Sequence, residues 1–177
     1  MPKNSALRFA LTFIGLFLVF YYFNILFFRA TLPGEHHNAF LAEHFDYIKG
    51  LRWLLLWGTA NLLKLLGFGV VFNNYELLVA GHAAITVVYT CLGLGVLSFL
   101  MAFIIAYPKP LKSKMVAVIV GMVIVELLNI VRFMLLALYG NHGIIDHHTI
   151  FNIIIYVIIS AGLYFWIRND ITDNKKA

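Results

Sequence analysis

The chain has 177 residues, of which 62% are hydrophobic and 12% charged, and its mean hydropathy is +0.89. Soluble domains usually carry about twice that share of charged residues, so the composition excludes an average soluble domain, and its hydrophobicity excludes disorder. The net charge of +5 comes from scattered lysines and arginines, which is typical of membrane topology and argues against nucleic-acid binding. The single cysteine, Cys91, excludes an intrachain disulfide framework and a four-cysteine metal or redox site.

Four apolar runs predict membrane-spanning helices, since a span needs about 20 mostly apolar residues. In chain order they are Phe9–Phe28, Cys91–Tyr107, Met115–Tyr139 and Ile150–Ile167. The first run is interpreted as an uncleaved anchor, because Arg29 follows it where a signal peptide would have a small-residue cleavage site. A further segment, Leu51–Phe72, is interrupted by polar residues, so it could cross the membrane or lie flat at its interface.

Basic residues decide the predicted orientation of these runs. They lie before the first run, between the second and third, and after the fourth: Lys3, Arg8, Lys109, Lys112, Lys114, Arg168, Lys175 and Lys176. Placing all of them on the cytoplasmic side gives four spans and leaves Leu51–Phe72 on the outer side. The alternative of five spans would put the basic N-terminus outside.

The stretch before Cys91 has the residues of strands rather than of a helix. Two short strands, Tyr75–Val79 and Ala83–Thr90, are predicted because β-branched residues and threonines are frequent there. Gly81 lies between them, and Asn73–Asn74 predicts a turn before them. The predicted fold is therefore an all-α polytopic membrane protein of four transmembrane helices, with five as the alternative. A small extracytoplasmic β-hairpin would precede the cysteine.

Three polar residues lie inside the third predicted span, where a charged side chain costs about 2.5–3.5 kcal/mol at the bilayer centre. Glu126, Asn129 and Arg132 are three residues apart, so they share one face of a helix. Arg132 lies about 10 Å below the outer end at Tyr139, given the helical rise of 1.5 Å per residue. The stripe could be a structural ion pair from Glu126 to Arg132, bridged by Asn129, or part of a functional site.

Cys91 and a histidine pair lie at the same predicted outer level. A lone cysteine in apolar surroundings is usually a small buried hydrophobe, but at a helix N-terminus the dipole and free N–H groups favour a thiolate. Asp146, His147 and His148 precede the fourth span, and such a pair is most often a solvated loop or a weak metal site. If the pair converged with Cys91 and Arg132, cysteine and histidine would form the arrangement of an activated thiolate nucleophile.

Three motifs in chain order resemble those of the exosortase/archaeosortase family, the membrane-embedded cysteine transpeptidases. They are Cys91-Leu92-Gly93, Asn129-Ile130-Val131-Arg132, and the stretch from Asp146 to Phe151 with its two histidines. The resemblance covers about residues 51–167, the core of a single integral membrane domain over residues 1–177. The chain looks like the short single-domain forms found in Bacteroidota. It departs from the family at Leu92, where a serine is common, and at Asn152, where a glycine is common.

The resemblance implies an enzyme that cleaves the C-terminal sorting tail of secreted proteins and transfers the acyl product to an acceptor or water. It implies Cys91 as nucleophile and Arg132 as partner of the thiolate or oxyanion. His148, with His147 as the alternative, would be the general base. The supporting residues would be Asn129, Glu126, Asp146 and Gly93.

The expected location and partners follow from the same resemblance. The active site would face the periplasm from the bacterial inner membrane. The partners would be the lipid bilayer and membrane-anchored proteins that end in a short motif, a helix and a basic tail. The resemblance implies no cofactor and no metal.

Two other classes of function fit the residues. A metal- or haem-binding membrane protein would use the histidines that the four-span arrangement places outside, because histidine is the commonest metal ligand. These are His36, His37, His44, His82, His142, His147 and His148. A non-enzymatic membrane scaffold would use the polar stripe as structural glue and Cys91 for packing. The single cysteine excludes a quinone-linked disulfide oxidoreductase, and the chain lacks the serine motif of a rhomboid-type protease.

Overall fold

The computed structural model describes residues 3–32, 38–82, 84–139 and 147–173. Within these ranges the chain forms six helices and a small sheet. In order they are α1 (Lys3–Thr31), α2 (Ala39–His44), α3 (Tyr47–Leu65), β1 (Val70–Phe72), β2 (Glu76–Val79), β3 (Ile85–Thr86), α4 (Leu94–Ala106), α5 (Leu111–Tyr139) and α6 (His147–Asp173). A short 3₁₀ turn, Tyr89–Cys91, connects β3 to α4. The protein is thus mostly helical, as predicted.

Two described helices are long and apolar enough to cross a membrane: α1, over Ser5–Thr31, and α5. Two more apolar stretches are shorter, α4 and the part of α6 from Ile153 to Arg168. With 13 residues, α4 is about 20 Å long, less than the ~30 Å hydrocarbon core of a bilayer. It is shorter than the predicted span because the chain from Tyr89 to Gly93 forms the 3₁₀ turn and a cap instead of helix.

The sheet has three antiparallel strands in the order β1-β2-β3, so the prediction of a two-stranded hairpin is wrong. Val70 pairs with Val79, and Leu77 pairs with Ile85. The missed strand, β1, continues the apolar composition of α3 and therefore resembles helix in sequence. Gly67, at φ +90°, supplies the left-handed backbone just beyond the end of α3 from which the chain turns back into β1.

α1 packs against α4 through an aromatic ladder. Its members recur every fourth residue on each helix, which places them on one face: Phe9, Phe13, Phe17 and Tyr21 on α1, and Phe99, Phe103 and Tyr107 at α4. Phe13 meets Phe99 edge to face, with ring centroids 5.3 Å apart. Edge-to-face pairs add stabilisation beyond the area that they bury. This ladder holds α4 against the long helix α1.

α3 packs one face against α5, and its polar interruption at Arg52 is directed towards the sheet. Arg52 is buried, and its guanidinium lies 4.7 Å from the centre of the Tyr75 ring, next to the sheet. A cation over an aromatic face is attracted by the negative ring quadrupole. At Gly58 the two helices approach so closely that an added Cβ would lie 2.6 Å from the side chain of Ile130. The position of α3 beside α5 therefore depends on that glycine.

Candidate active site

Cys91 occupies the last position of the 3₁₀ turn and keeps 8% of its surface exposed. The turn is closed by two backbone hydrogen bonds, from Cys91 N to Val88 O at 3.0 Å and from Leu92 N to Tyr89 O at 3.1 Å. α4 begins three residues later, at Leu94, so the cysteine lies just before the helix rather than at its first position as predicted. It forms no disulfide, because the chain has no second cysteine.

Gly93 turns the chain from the 3₁₀ turn into α4. Its φ of +70° lies in the left-handed region, and its carbonyl accepts the first helical hydrogen bond, from Leu97 N at 2.9 Å. A Cβ at this position would lie 2.5 Å from Nδ2 of Asn129 on α5. Both the backbone angle and the space require glycine here. The Cys-x-Gly turn and the Asn-x-x-Arg stretch are therefore in direct contact.

Arg132 reaches the cysteine from α5. It is 2% exposed, and its guanidinium lies within hydrogen-bonding range of the Cys91 side chain. Asn129, one turn earlier on the same face, is 1% exposed and lies beneath Gly93. A guanidinium can donate hydrogen bonds to a sulfur nucleophile or to a developing oxyanion. The structure thus brings together two of the three residue types that the sequence singled out.

Glu126 does not form the predicted ion pair with Arg132. Its two carboxylate oxygens are buried and have no hydrogen-bond partner among the described residues. Six residues separate the two side chains, and Arg132 is directed to the cysteine instead. Glu126 lies close to Asn129 and lines a cavity of about 700 Å³ between α1, α3, α4 and α5. The interpretation of the stripe as a structural ion pair is therefore wrong.

A hydrogen-bonded junction that the sequence analysis missed lies beside this cavity. The Tyr47 hydroxyl at the start of α3 donates to Asn24 Oδ1, and Asn24 Nδ2 donates to Ser98 Oγ on α4 at 3.0 Å. Ser98 in turn donates to the Leu94 carbonyl at 2.7 Å. The junction ties three helices together at Ser98, seven residues along the chain from the cysteine. Its sequence signal was Asn24, the polar residue inside the first predicted span.

Tyr89 anchors the 3₁₀ turn to α1. Its ring lies 4.6 Å from the ring of Phe28 between centroids. Burial raises the pKa of the Tyr89 phenol, with a further contribution from Tyr21, so the hydroxyl stays protonated near neutral pH. The turn that carries Cys91 is therefore held by α1 on one side and by α5 on the other.

The histidines lie partly outside the described residues. The backbone of α6 begins at His147, which places both members of the pair in its first turn. Their side chains are outside the described residues, as are Asp146 and His142. No three His, Cys, Asp or Glu residues in the described ranges lie close enough together to hold a metal ion. His44 approaches the Phe40 carbonyl at 3.3 Å, and His82 packs on Phe68.

Comparison with models of known protein families finds a match. The model of the transmembrane exosortase family matches residues 5–165, which include the Cys91 turn, the Asn129–Arg132 stretch and the start of α6. None of the curated proteins and none of the solved structures compared with the chain matches it. The family model covers more than half of the chain, from α1 to most of α6.

Proposed function

Because the chain belongs to the transmembrane exosortase family, we propose that it is a cysteine transpeptidase that cleaves the C-terminal sorting tail of secreted proteins. Family membership indicates a membrane-embedded sorting protease or transpeptidase. The observation that carries the proposal for this chain is the contact between Arg132 and the single cysteine, Cys91. A free thiol that faces an oxidising compartment is a liability unless it is protected or used. Burial protects the Cys91 thiol from oxidation, and the neighbouring guanidinium of Arg132 is placed to assist its attack on a substrate carbonyl.

The proposed reaction begins with proton transfer from Cys91 to His148. The thiolate attacks the carbonyl carbon of the scissile peptide bond, a C–S bond forms, and the carbonyl electron pair moves to oxygen. Arg132 stabilises first the thiolate and then this oxyanion. When the C–N bond breaks, the protonated His148 gives its proton to the leaving amine. An amine, a hydroxyl or water then loses a proton to His148 and attacks the thioester carbonyl. The C–S bond breaks, and the Cys91 thiolate takes the proton back from His148.

The supporting residues act through position rather than through contact with the scissile bond. Gly93 sets the direction of α4 and lets Asn129 approach the turn. Asn129 lies one turn from Arg132 and fixes the spacing between the turn and α5. Glu126 lies one further turn away, at the edge of the 700 Å³ cavity. Asp146 would orient the histidine pair, with His147 as the alternative base.

The proposed location is the bacterial inner membrane, with Cys91 facing the periplasm. The basic residues at the opposite ends of the helices favour this orientation. The proposed substrates are membrane-anchored proteins that end in a short motif, a helix and a basic tail. The single domain of residues 1–177, with its core at about 51–167, would carry out the whole reaction.

A tag-loss assay tests the reaction and the nucleophile together. A tail-anchored candidate substrate with a C-terminal tag is co-expressed with the protein, and loss of the tag is followed by immunoblot. Cys91→Ala is expected to abolish processing, and Arg132→Lys to reduce it strongly, because a point charge does not replace a planar fork. The matched control, Arg168→Lys, should process normally.

The same assay separates the two histidines. His148→Ala is expected to stop processing while His147→Ala retains it, and the reverse result would assign the base to His147. Each variant is compared at equal membrane levels of the protein. Processing by Cys91→Ala at the wild-type rate would overturn the nucleophile assignment and with it the proposed function.

A further inference from the structure

A second cavity lies far along α5 from the cysteine, between α4, α5 and α6. It has a volume of about 570 Å³, and we call it the α4–α6 trough. Its α5 wall is a single stripe that runs from Ser113 through Ala117 and Gly121 to Ile124. These positions recur every three or four residues, so they follow one helix face. The stripe spans eleven residues, about 16 Å at the helical rise.

The polar groups of the trough all lie at one end. Lys112 and Ser113 line that end, together with Trp166 of α6. Trp166 Nε1 donates to Ser113 Oγ at 3.1 Å, and no described residue accepts the hydroxyl proton of Ser113. The rest of the lining is aliphatic or glycine. The trough therefore has a cationic, hydrogen-bonding mouth and an apolar body.

Lys112 differs from the two lysines beside it, Lys109 just before α5 and Lys114 in the first turn of α5. Lys109 donates to the Trp166 carbonyl, and its ammonium lies 4.3 Å from the centre of the Trp166 ring. Lys114 donates to the Ile105 carbonyl at 2.6 Å. Lys112 has no ion-pair or hydrogen-bond partner in the described part of the chain, and it lines the mouth of the trough. An uncompensated cation at the end of an apolar cavity predicts a ligand with an anionic head and a hydrocarbon tail.

We propose that the α4–α6 trough binds one acyl chain of an anionic phospholipid, with the phosphate held by Lys112 and Ser113. The length of the trough, about 16 Å, matches one leaflet of a ~30 Å hydrocarbon core. The start of α5, which carries Lys112, faces the cytoplasmic leaflet in the proposed orientation. Anionic lipids of that leaflet attract basic segments near the surface. The charge at the mouth also disfavours the basic tail of a sorting substrate as the occupant.

Tryptophan quenching measures this binding directly. The chain has three tryptophans, and replacing Trp53 and Trp57 by phenylalanine leaves Trp166, which lines the trough, as the only fluorophore. The protein is reconstituted in phosphatidylcholine bilayers that contain either brominated phosphatidylglycerol or brominated phosphatidylcholine. Because bromine quenches tryptophan on contact, the two titrations give the relative association of the anionic and zwitterionic lipids.

The expected preference for phosphatidylglycerol is about fivefold, the ratio that one lysine near a membrane surface contributes. Lys112→Gln should lower the ratio to about one. The control Lys64→Gln removes the same charge from an exposed position on α3 and should leave the ratio unchanged. A ratio near one in the unmodified protein, or a ratio that Lys112→Gln does not change, would overturn the proposal.

A second pair of variants tests the cavity rather than the charge. Gly162 lines the trough and a Cβ there meets nothing within 4 Å, so Gly162→Leu fills the space without a clash. It should reduce quenching by both lipids, whereas Gly15→Leu, an equally open site on α1, should not. Unchanged quenching in Gly162→Leu contradicts the proposal. A further result would also contradict the proposal. It is that a synthetic peptide with the tail helix of a sorting substrate protects Trp166 from quenching, while brominated phosphatidylglycerol and phosphatidylcholine quench it equally.

Discussion

Gly93 is the residue on which the geometry of the candidate site depends most. Its φ of +70° is unfavourable for any side chain, and a Cβ would also lie 2.5 Å from the Asn129 amide. Gly93→Ala is therefore expected to cost about 1–3 kcal/mol in backbone strain alone. It should also lower the rate of tag loss about 100-fold, since a small displacement of a reacting group has effects of that size. Thermal unfolding in detergent and the tag-loss assay measure the two effects.

Alanine substitutions at two other glycines distinguish the effect of backbone strain from that of the close contact with Asn129. Gly81, in the turn between β2 and β3, has φ +81° but open space around it, so Gly81→Ala should lose stability and keep its activity per folded molecule. Gly15, in α1, has neither feature, so Gly15→Ala should be neutral or slightly stabilising. If Gly93→Ala retains full activity, the close contact with Asn129 has no role in the reaction.

Asn129 is buried in a way that the fold alone does not explain. Neither polar atom of its amide has a hydrogen-bond partner among the described residues, although both are inaccessible. An unsatisfied buried amide costs about 1–3 kcal/mol. Asn129→Leu, which keeps the number and branching of the side-chain heavy atoms, should therefore raise the free energy of unfolding by about 1 kcal/mol while tag loss falls sharply. A variant that is both less stable and fully active would contradict this assignment.

At the scale of elements, the contact between α3 and α5 connects the sheet to Arg132. Gly58→Ala would place a methyl group 2.6 Å from Ile130 Cδ1, two residues from Arg132. Overpacking of this kind costs about 1–3 kcal/mol. Gly50→Ala, in the same helix but in open space, should instead be stabilising by up to about 1 kcal/mol. Chemical unfolding of the two variants measures the difference.

A double-mutant cycle shows whether that cost comes from the helix contact. Ile130→Val removes the Cδ1 atom and should cost about 0.5–1.5 kcal/mol alone. Combined with Gly58→Ala, the two losses should be less than additive by at least about 0.5 kcal/mol. Strict additivity would mean that α3 and α5 do not approach each other at Gly58.

The elements also show which features the sequence could predict. Apolar runs predict α1 and α5 well, because a continuous run of about 20 apolar residues outweighs the helix or strand preferences of single residues. β1 was missed because its three residues, Val70–Phe72, continue the composition of α3 and become a strand only by pairing with β2. The contact between Gly93 and Asn129 was not predictable from either motif, since it depends on how closely α4 and α5 pack. The proximity of Arg132 to Cys91 could be predicted, because both residues lie near the predicted outer ends of their spans and both belong to motifs that resemble those of the family.

For the whole molecule, the number of spans depends on whether α3 crosses the membrane. Tyr47, its first residue, donates to Asn24 inside α1, and its ring centroid lies 4.6 Å from that of Phe27, so α3 begins beside the C-terminal half of α1. It then ends at Leu65, directly before the sheet. In the four-span arrangement, the segments before and after α3 both lie on the periplasmic side. In the five-span arrangement, the segment before α3 lies on the cytoplasmic side and the sheet after it stays on the periplasmic side.

Cysteine labelling distinguishes these arrangements, because Cys91→Ala leaves a chain without other thiols. Single cysteines are introduced at three exposed positions: Phe45 before α3, Asn74 between β1 and β2, and Leu111 at the start of α5. A membrane-impermeant maleimide applied to spheroplasts should label the first two positions and should reach Leu111→Cys only after lysis. Phe45→Cys labelled only after lysis would establish α3 as a fifth span. Leu111→Cys labelled in intact spheroplasts would reverse the orientation, since three lysines would then lie outside against the charge rule.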